Sequence, residues 1–260
     1  MPYVTIAGNR MFYAVHREEG PAVVLIPGAG ENHLLWPSAL RRLPNATVYA
    51  IDLPGHGRSE TWGQEFIEDY AADVVKFVDA VGVERAVLMG HSMGGAVAQM
   101  IALTAPERVA GLVLLATGAR LRVAPLILEG LQKDFEATIL QIGAWAWGPD
   151  ADQRQVALSR QAAIETGPYV MLGDFVACER FDVRERLGEI RVPTLVMTGS
   201  EDRMTPPKLG QYLAEQIPGA RFILVPGAGH MLMLEKPRRV AKAVREFLNE
   251  LPAASPRQAL

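Results

Sequence analysis

The chain has 260 residues and carries a formal net charge of −3; 49% of its residues are hydrophobic and one is a cysteine, Cys178. That length and apolar content suit one folded core and exclude a disordered chain, and the mild negative charge gives no electrostatic basis for binding nucleic acid. No apolar run reaches the roughly 18 residues of a membrane span, and a lone cysteine excludes an intrachain disulfide.

Short apolar runs set the rhythm of the chain. Strands are predicted at 3–7 (YVTIA), 11–16 (MFYAVH), 22–26 (AVVLI), 47–52 (TVYAID) and 85–90 (RAVLMG), then at 111–116 (GLVLLA), 193–198 (PTLVMT) and 221–225 (RFILV). From residue 22 onward the runs are nearly continuous in Val, Ile and Leu, the pattern of parallel strands buried on both faces. The alternating first hairpin reads as an antiparallel edge. Ile67, Tyr70, Ala71, Val74, Val75 and Val78 form a helical stripe, as do Val240, Val244, Phe247, Leu248 and Leu251 behind Pro237. Strands alternating with such helices predict a three-layer α/β fold. The rhythm breaks over 119–190, where only helical patterns occur. Leu128, Leu131, Phe135, Ile139 and Ile142 give one helix face there, and Asp150 or Asp152 could cap a second helix. The expected organisation is a core of 1–118 and 191–251, a helical insertion of 119–190 and a frayed tail of 252–260. MPYVTIAGNRMFY lacks the basic and apolar regions of a signal peptide, so a cytoplasmic protein is expected.

The tetrapeptide PGAG closes two of the apolar runs, at 27–30 and 226–229. A dinucleotide-binding turn needs a small residue three positions after its second glycine, and the chain has His33 and Leu232 there. Glu31 would also repel a phosphate. No histidine pair at i, i+4 and no Cys/His cluster suggests a metal, so no cofactor is expected.

Between the two copies lies Gly90-His91-Ser92-Met93-Gly94, a G-x-S-x-G between a strand and a helix. A sharp strand-to-helix turn strains the serine backbone and needs glycines two residues to either side. It presents the hydroxyl at a helix N-terminus, where negative charge is favoured. A serine hydroxyl needs a base and an orienting acid. Of five histidines, His16 sits in the first hairpin, His56 in a glycine-flanked turn, and His91 beside the serine with its side chain expected to point away. His230 follows the last strand and belongs at the same sheet rim as Ser92, so it is the candidate base. Glu201 and Asp202 follow the preceding strand and are the candidate acids.

PGAG followed by Trp36, DLPGHGRS (52–59), GHSMGG (90–95), GSEDRMTP (199–206) and PGAGHMLMLEKP (226–237) together resemble the α/β-hydrolase superfamily over nearly the whole chain. The resemblance implies an eight-stranded, mostly parallel sheet with a helical cap after strand 6. It implies a Ser92, Asp202, His230 triad, Asp202 being preferred by its place after Gly-Ser-Glu, and an oxyanion hole from the backbone N–H groups of Ala29 and Met93. Pro27 stands where most relatives have histidine. The expected activity is hydrolysis of carboxylic esters of small to medium hydrophobic small molecules through an acyl-enzyme on Ser92. Trp145, Leu126 and Met231 are candidate substrate contacts. Lactone, thioester and carbon–carbon bond hydrolysis and cofactor-free perhydrolysis share this triad in the superfamily, and a non-catalytic ligand receptor is the rival from another class.

Overall fold

A computed structural model describes residues 2–6 and 8–251. The tail expected at 252–260, and Ala7 at the end of the first predicted strand, lie outside the described residues.

All eight predicted strands form: β1 (Tyr3–Ile6), β2 (Asn9–His16), β3 (Ala22–Ile26), β4 (Thr47–Ile51), β5 (Ala86–His91), β6 (Val109–Leu115), β7 (Thr194–Gly199) and β8 (Arg221–Val225). They make one sheet in the order β1-β2-β4-β3-β5-β6-β7-β8. The β1·β2 and β2·β4 pairs are antiparallel and the remaining pairs parallel. Among the described residues ten α-helices accompany the sheet: α1 (Ser38–Arg41), α2 (Ile67–Ala80), α3 (Met93–Thr104), α4 (Pro125–Lys133), α5 (Phe135–Ala146), α6 (Gln153–Thr166), α7 (Pro168–Arg180), α8 (Pro207–Gln216), α9 (Leu232–Glu235) and α10 (Pro237–Glu250).

Why the central strands need no polar face is visible in the core. Successive side chains leave a strand on opposite sides. Val24, Ile26, Leu88, Leu112 and Leu114 therefore pack with Tyr70, Val74 and Phe77 of α2 and Val97 and Ile101 of α3. Val23, Leu25, Val87, Met89, Val113 and Leu115 pack with Leu40 of α1 and Val240, Val244 and Phe247 of α10. Both faces are covered, as the continuous apolar runs require. Among the described residues no helix is long and apolar enough to cross a membrane.

Helices α4 to α7 fill the chain between β6 and β7, and an isolated bridge between Arg120 and Asp182 closes the base of this segment. The single helix face expected over 128–142 is divided in two at Asp134. Asp134 leaves helical geometry (φ −149°, ψ 84°), and its carboxylate accepts the Ala137 N–H at 3.2 Å, so it starts a new helix. Leu128 and Leu131 from α4 and Ile139 and Ile142 from α5 still meet, in a third core with Met171 and Phe175 of α7. Asp152, not Asp150, caps α6 through the Arg154 N–H.

Candidate active site

The turn after β5 sets Ser92 at φ 51°, ψ −116°, a conformation costly for a residue with a Cβ. Its neighbours show why they are glycines: a Cβ on Gly90 would collide with the Gly94 carbonyl, and one on Gly94 with the Ile26 carbonyl. Neither obstacle is a movable side chain. The turn is tied to the next strand by Ser92 N–H to Leu115 O (2.9 Å) and by Thr117 Oγ1 to Ser92 O (2.8 Å). Met93 opens α3, where first-turn amides have no partner within the helix.

The ends of β7 and β8 deliver the partners. His230 Nδ1 lies 3.0 Å from Asp202 Oδ2, and both residues are buried. Asp202 is itself fixed: its Oδ1 accepts the Met204 and Thr205 N–H groups at 2.9 and 2.8 Å, and its Oδ2 accepts the Thr205 hydroxyl at 2.7 Å. Burial pushes the Asp202 carboxyl up, but His230 and the Thr205 hydrogen bonds outweigh it and hold the group below the ordinary carboxylate value. Glu201 is exposed and accepts from Ser200, so of the two acids Asp202 is the one brought to the imidazole. The His230 N–H donates to Ala146 O at the end of α5 (2.7 Å). With Nδ1 on Asp202, Nε2 is the nitrogen left for Ser92, which lines the same cavity as His230.

The first PGAG loop is held by two carboxylates. Gly28 N–H donates to Glu31 Oε2 (2.7 Å) and Gly30 N–H to Asp174 Oδ2 (2.8 Å). Ala29 lies between these two anchored amides and on the cavity wall. Glu31 also binds His91 Nδ1 at 3.0 Å, and His91 Nε2 lies 3.0 Å from His230 O. His91 thus turns away from the substrate side and joins the two PGAG loops underneath it.

The Glu31–His91 pair is buried and charge-coupled. Burial opposes charge on both, yet each partner offsets it: Glu31 is shifted down, and His91 is shifted up. Glu31 stabilises the fold above about pH 4.3 and loses that contribution on acidification. His91 contributes fully below about pH 6.5 and loses its contribution as pH rises through its elevated folded value. Glu31→Gln is therefore expected to cost about 3 kcal/mol near pH 5.5, with the deficit shrinking above neutrality. Urea unfolding of both proteins across pH checks this; a pH-independent deficit contradicts the charged pair.

The other histidines are engaged elsewhere: His16 with Glu18, His33 with Asp52 and His56 with Asp174. Sequence reasoning missed Glu31, Thr205 and Asp174. The only local trace of Asp174 is its place among buried Val170, Met171, Ala177 and Cys178 on one face of α7.

Above the loops lies a cavity of about 470 Å³. It is lined by Ala29, Ser92, His230 and Met231 and, from the segment between β6 and β7, by Ile139, Ile142, Trp147, Val156, Met171 and Phe175. Two of the expected contacts fall outside this lining. Leu126, in the first turn of α4, is 55% exposed, and Trp145 packs half-buried on the core of the inserted helices; neither reaches the lining. Trp147 does, because α5 ends at Ala146 and extended backbone follows (φ −106°, ψ 146°). Cys178 also lines the cavity, but burial first, then Asp174 and Glu179, push its thiol up, away from the nucleophilic thiolate.

Comparison with known proteins agrees with this architecture. Residues 23–243 match the family model described as "Alpha/beta hydrolase family". A pimeloyl-[acyl-carrier protein] methyl ester esterase of Pectobacterium carotovorum is 30% identical over 86% of this chain and 93% of its own. The solved structure of a thermophilic esterase superposes with a TM-score of 0.88 at 34% identity, covering 97% of this chain and 98% of that one. Est816, described as an N-acyl homoserine lactone degrading enzyme, superposes with a TM-score of 0.85 at 28% identity, covering 95% and 100%.

Proposed function

The chain belongs to the alpha/beta hydrolase family, and from that premise we propose that it is a serine hydrolase of carboxylic esters, working through an acyl-enzyme on Ser92. The observation that carries this reading is His230, held on Asp202 at 3.0 Å, opening with the strained Ser92 onto one cavity.

In this mechanism His230 Nε2 takes the Ser92 proton as Oγ attacks the ester carbonyl. Asp202 holds the Nδ1–H tautomer and offsets the charge of the imidazolium. The oxyanion is received by the amides of Ala29 and Met93, the latter at the N-terminus of α3. His230 returns its proton to the departing alcohol. Water then enters, His230 deprotonates it, and collapse of the second tetrahedral intermediate frees the acid and Ser92. The cycle calls for no cofactor.

Residues 119–190 serve as a cap in this reading, since α5, α6 and α7 contribute apolar side chains to the lining of the cavity that Ser92 also lines. A wall of Ile139, Ile142, Trp147 and Phe175 favours apolar acyl groups of short to medium length. The protein is placed in the cytoplasm, in line with its single cysteine. Likeness to Est816 supports a second reading, lactone hydrolysis on the same residues. A series of p-nitrophenyl esters from acetyl to palmitoyl, run beside N-acyl homoserine lactones, separates the two. The expected result is a kcat/KM maximum among the short to medium esters; activity on the lactones alone contradicts the ester reading.

A further inference from the structure

Gly30, one residue after the proposed oxyanion donor, is gripped by the inserted helices. Asp174 of α7 accepts its N–H at 2.8 Å, and Thr166 at the end of α6 shares its hydroxyl proton between the Gly30 carbonyl at 3.2 Å and Ala162 O of its own helix at 3.0 Å. Gly30 has φ +67°, and Met171 Sδ sits where a Cβ on it would fall. Its N–H, its carbonyl and the side where a Cβ would fall are therefore all occupied by the segment between β6 and β7.

Asp174 is held just as firmly from the other direction. It is fully buried; its Oδ2 also accepts from His56 Nε2 at 2.8 Å, and its Oδ1 accepts the Tyr70 hydroxyl at 2.5 Å. His56 is seated by Nδ1 on Pro54 O, and Tyr70 Oη accepts the Gln64 N–H. A buried carboxylate is costly without such partners, and three donors at these distances make it a rigid anchor. Burial pushes His56 toward its neutral form, but Asp174 reverses this and raises its proton affinity.

The geometry of the loop gives this anchor a consequence. The direction of the Ala29 N–H is set by the peptide planes on its two sides. The plane before it is fixed by Glu31, which binds Gly28 N–H while its own N–H returns to Gly28 O at 3.2 Å. The plane after it is held by Asp174 through the Gly30 N–H, and the next plane by Thr166 through the Gly30 carbonyl.

We infer that Asp174 is a positioning residue for hydrolysis: through the Gly30 N–H it aims the Ala29 amide at the oxyanion, so the seating of α7 and the formation of the oxyanion hole are one arrangement. This rests on the serine-hydrolase reading above. His56 and Tyr70 hold Asp174 from the core, and Thr166 completes the grip.

Asp174→Asn and Thr166→Val test it, with kcat and KM on a p-nitrophenyl ester, inhibition by an alkylboronic acid that forms a tetrahedral adduct on the serine, and active-site titration. Removing a whole oxyanion donor lowers kcat about 100- to 1000-fold, so a misaimed one in Asp174→Asn is expected to lower it about 10- to 100-fold with KM little changed. Boronate affinity should weaken by the same factor. Thr166→Val should show the same coupled loss at about 3- to 10-fold. A merely structural role would lower Tm or the titrated fraction of active enzyme and leave kcat per active site and boronate affinity at wild-type values; that result overturns the inference. Should Asp174→Asn fail to fold, Thr166→Val decides alone, and wild-type kcat and boronate affinity in it are equally fatal. Failure of the esterase reading would appear separately, as wild-type protein without Ser92-dependent turnover.

Discussion

Ser92→Ala is expected to lower kcat on p-nitrophenyl butyrate by about 10⁵- to 10⁶-fold while leaving Tm within about 1 °C of wild type. The two readouts separate because alanine keeps the Cβ. The backbone strain at φ 51° is neither relieved nor increased, and the bonds to Leu115 and Thr117 come from the main chain of residue 92. What disappears is the nucleophile. Binding and the oxyanion amides remain, so a small residual rate over water should persist. A variant with wild-type turnover would move the chemistry to another group. Ser159 and Cys178 also line the cavity, and the buried, protonated thiol of Cys178 is poorly suited to the task.

Asp202→Asn is expected to lower kcat by about 10⁴-fold, again with the fold retained. The carboxylate accepts from Met204 N–H, Thr205 N–H, the Thr205 hydroxyl and His230 Nδ1. Asparagine has one acceptor oxygen, and the two backbone amides on Oδ1 claim it. Its NH₂ group then faces the Thr205 hydroxyl and His230 Nδ1. A donor at that position selects the imidazole tautomer with the proton on Nε2, which cannot accept the serine proton. Circular dichroism alongside stopped-flow hydrolysis checks both halves. Turnover within about tenfold of wild type would mean that Asp202 does not govern the tautomer.

Most of the fold was legible in the sequence because buried parallel strands leave an unmistakable record. The run at 22–26 coincides with β3, and the runs at 85–90 and 193–198 lie within a residue of β5 and β7. The candidate site was legible to the extent that it hangs on strand ends: Ser92, Asp202 and His230 follow β5, β7 and β8 at one rim of the sheet. Three things were hidden, each for a physical reason. The break at Asp134 was masked because residues from α4 and α5 meet in the same core, and so keep the periodicity of one helix. Which tryptophan faces the cavity depends on where α5 stops, and helix ends are poorly marked locally. Glu31 and Asp174 are ordinary residues in a loop and a helix until their partners, His91 and Gly30, arrive from 60 and 144 residues away. Pro27 illustrates the same limit. In sequence it leaves the bracing of the loop open; in the structure that bracing comes from Glu31 within the loop and from Asp174, 144 residues away from Gly30.

The two PGAG copies are likewise two loops with different duties. The first places Ala29 on the cavity wall and the second carries the chain to His230, with Glu31 and His91 joining them. In the proposed cycle everything these loops hold serves one atom, the Ser92 hydroxyl oxygen. The most direct test is to treat the protein with a fluorophosphonate, measure its intact mass, and locate the adduct by peptide mapping. One phosphonyl group per chain is expected, on Ser92, with none on Ser92→Ala. A folded, ligand-competent protein that takes up no label, or takes it up at another residue, would contradict it.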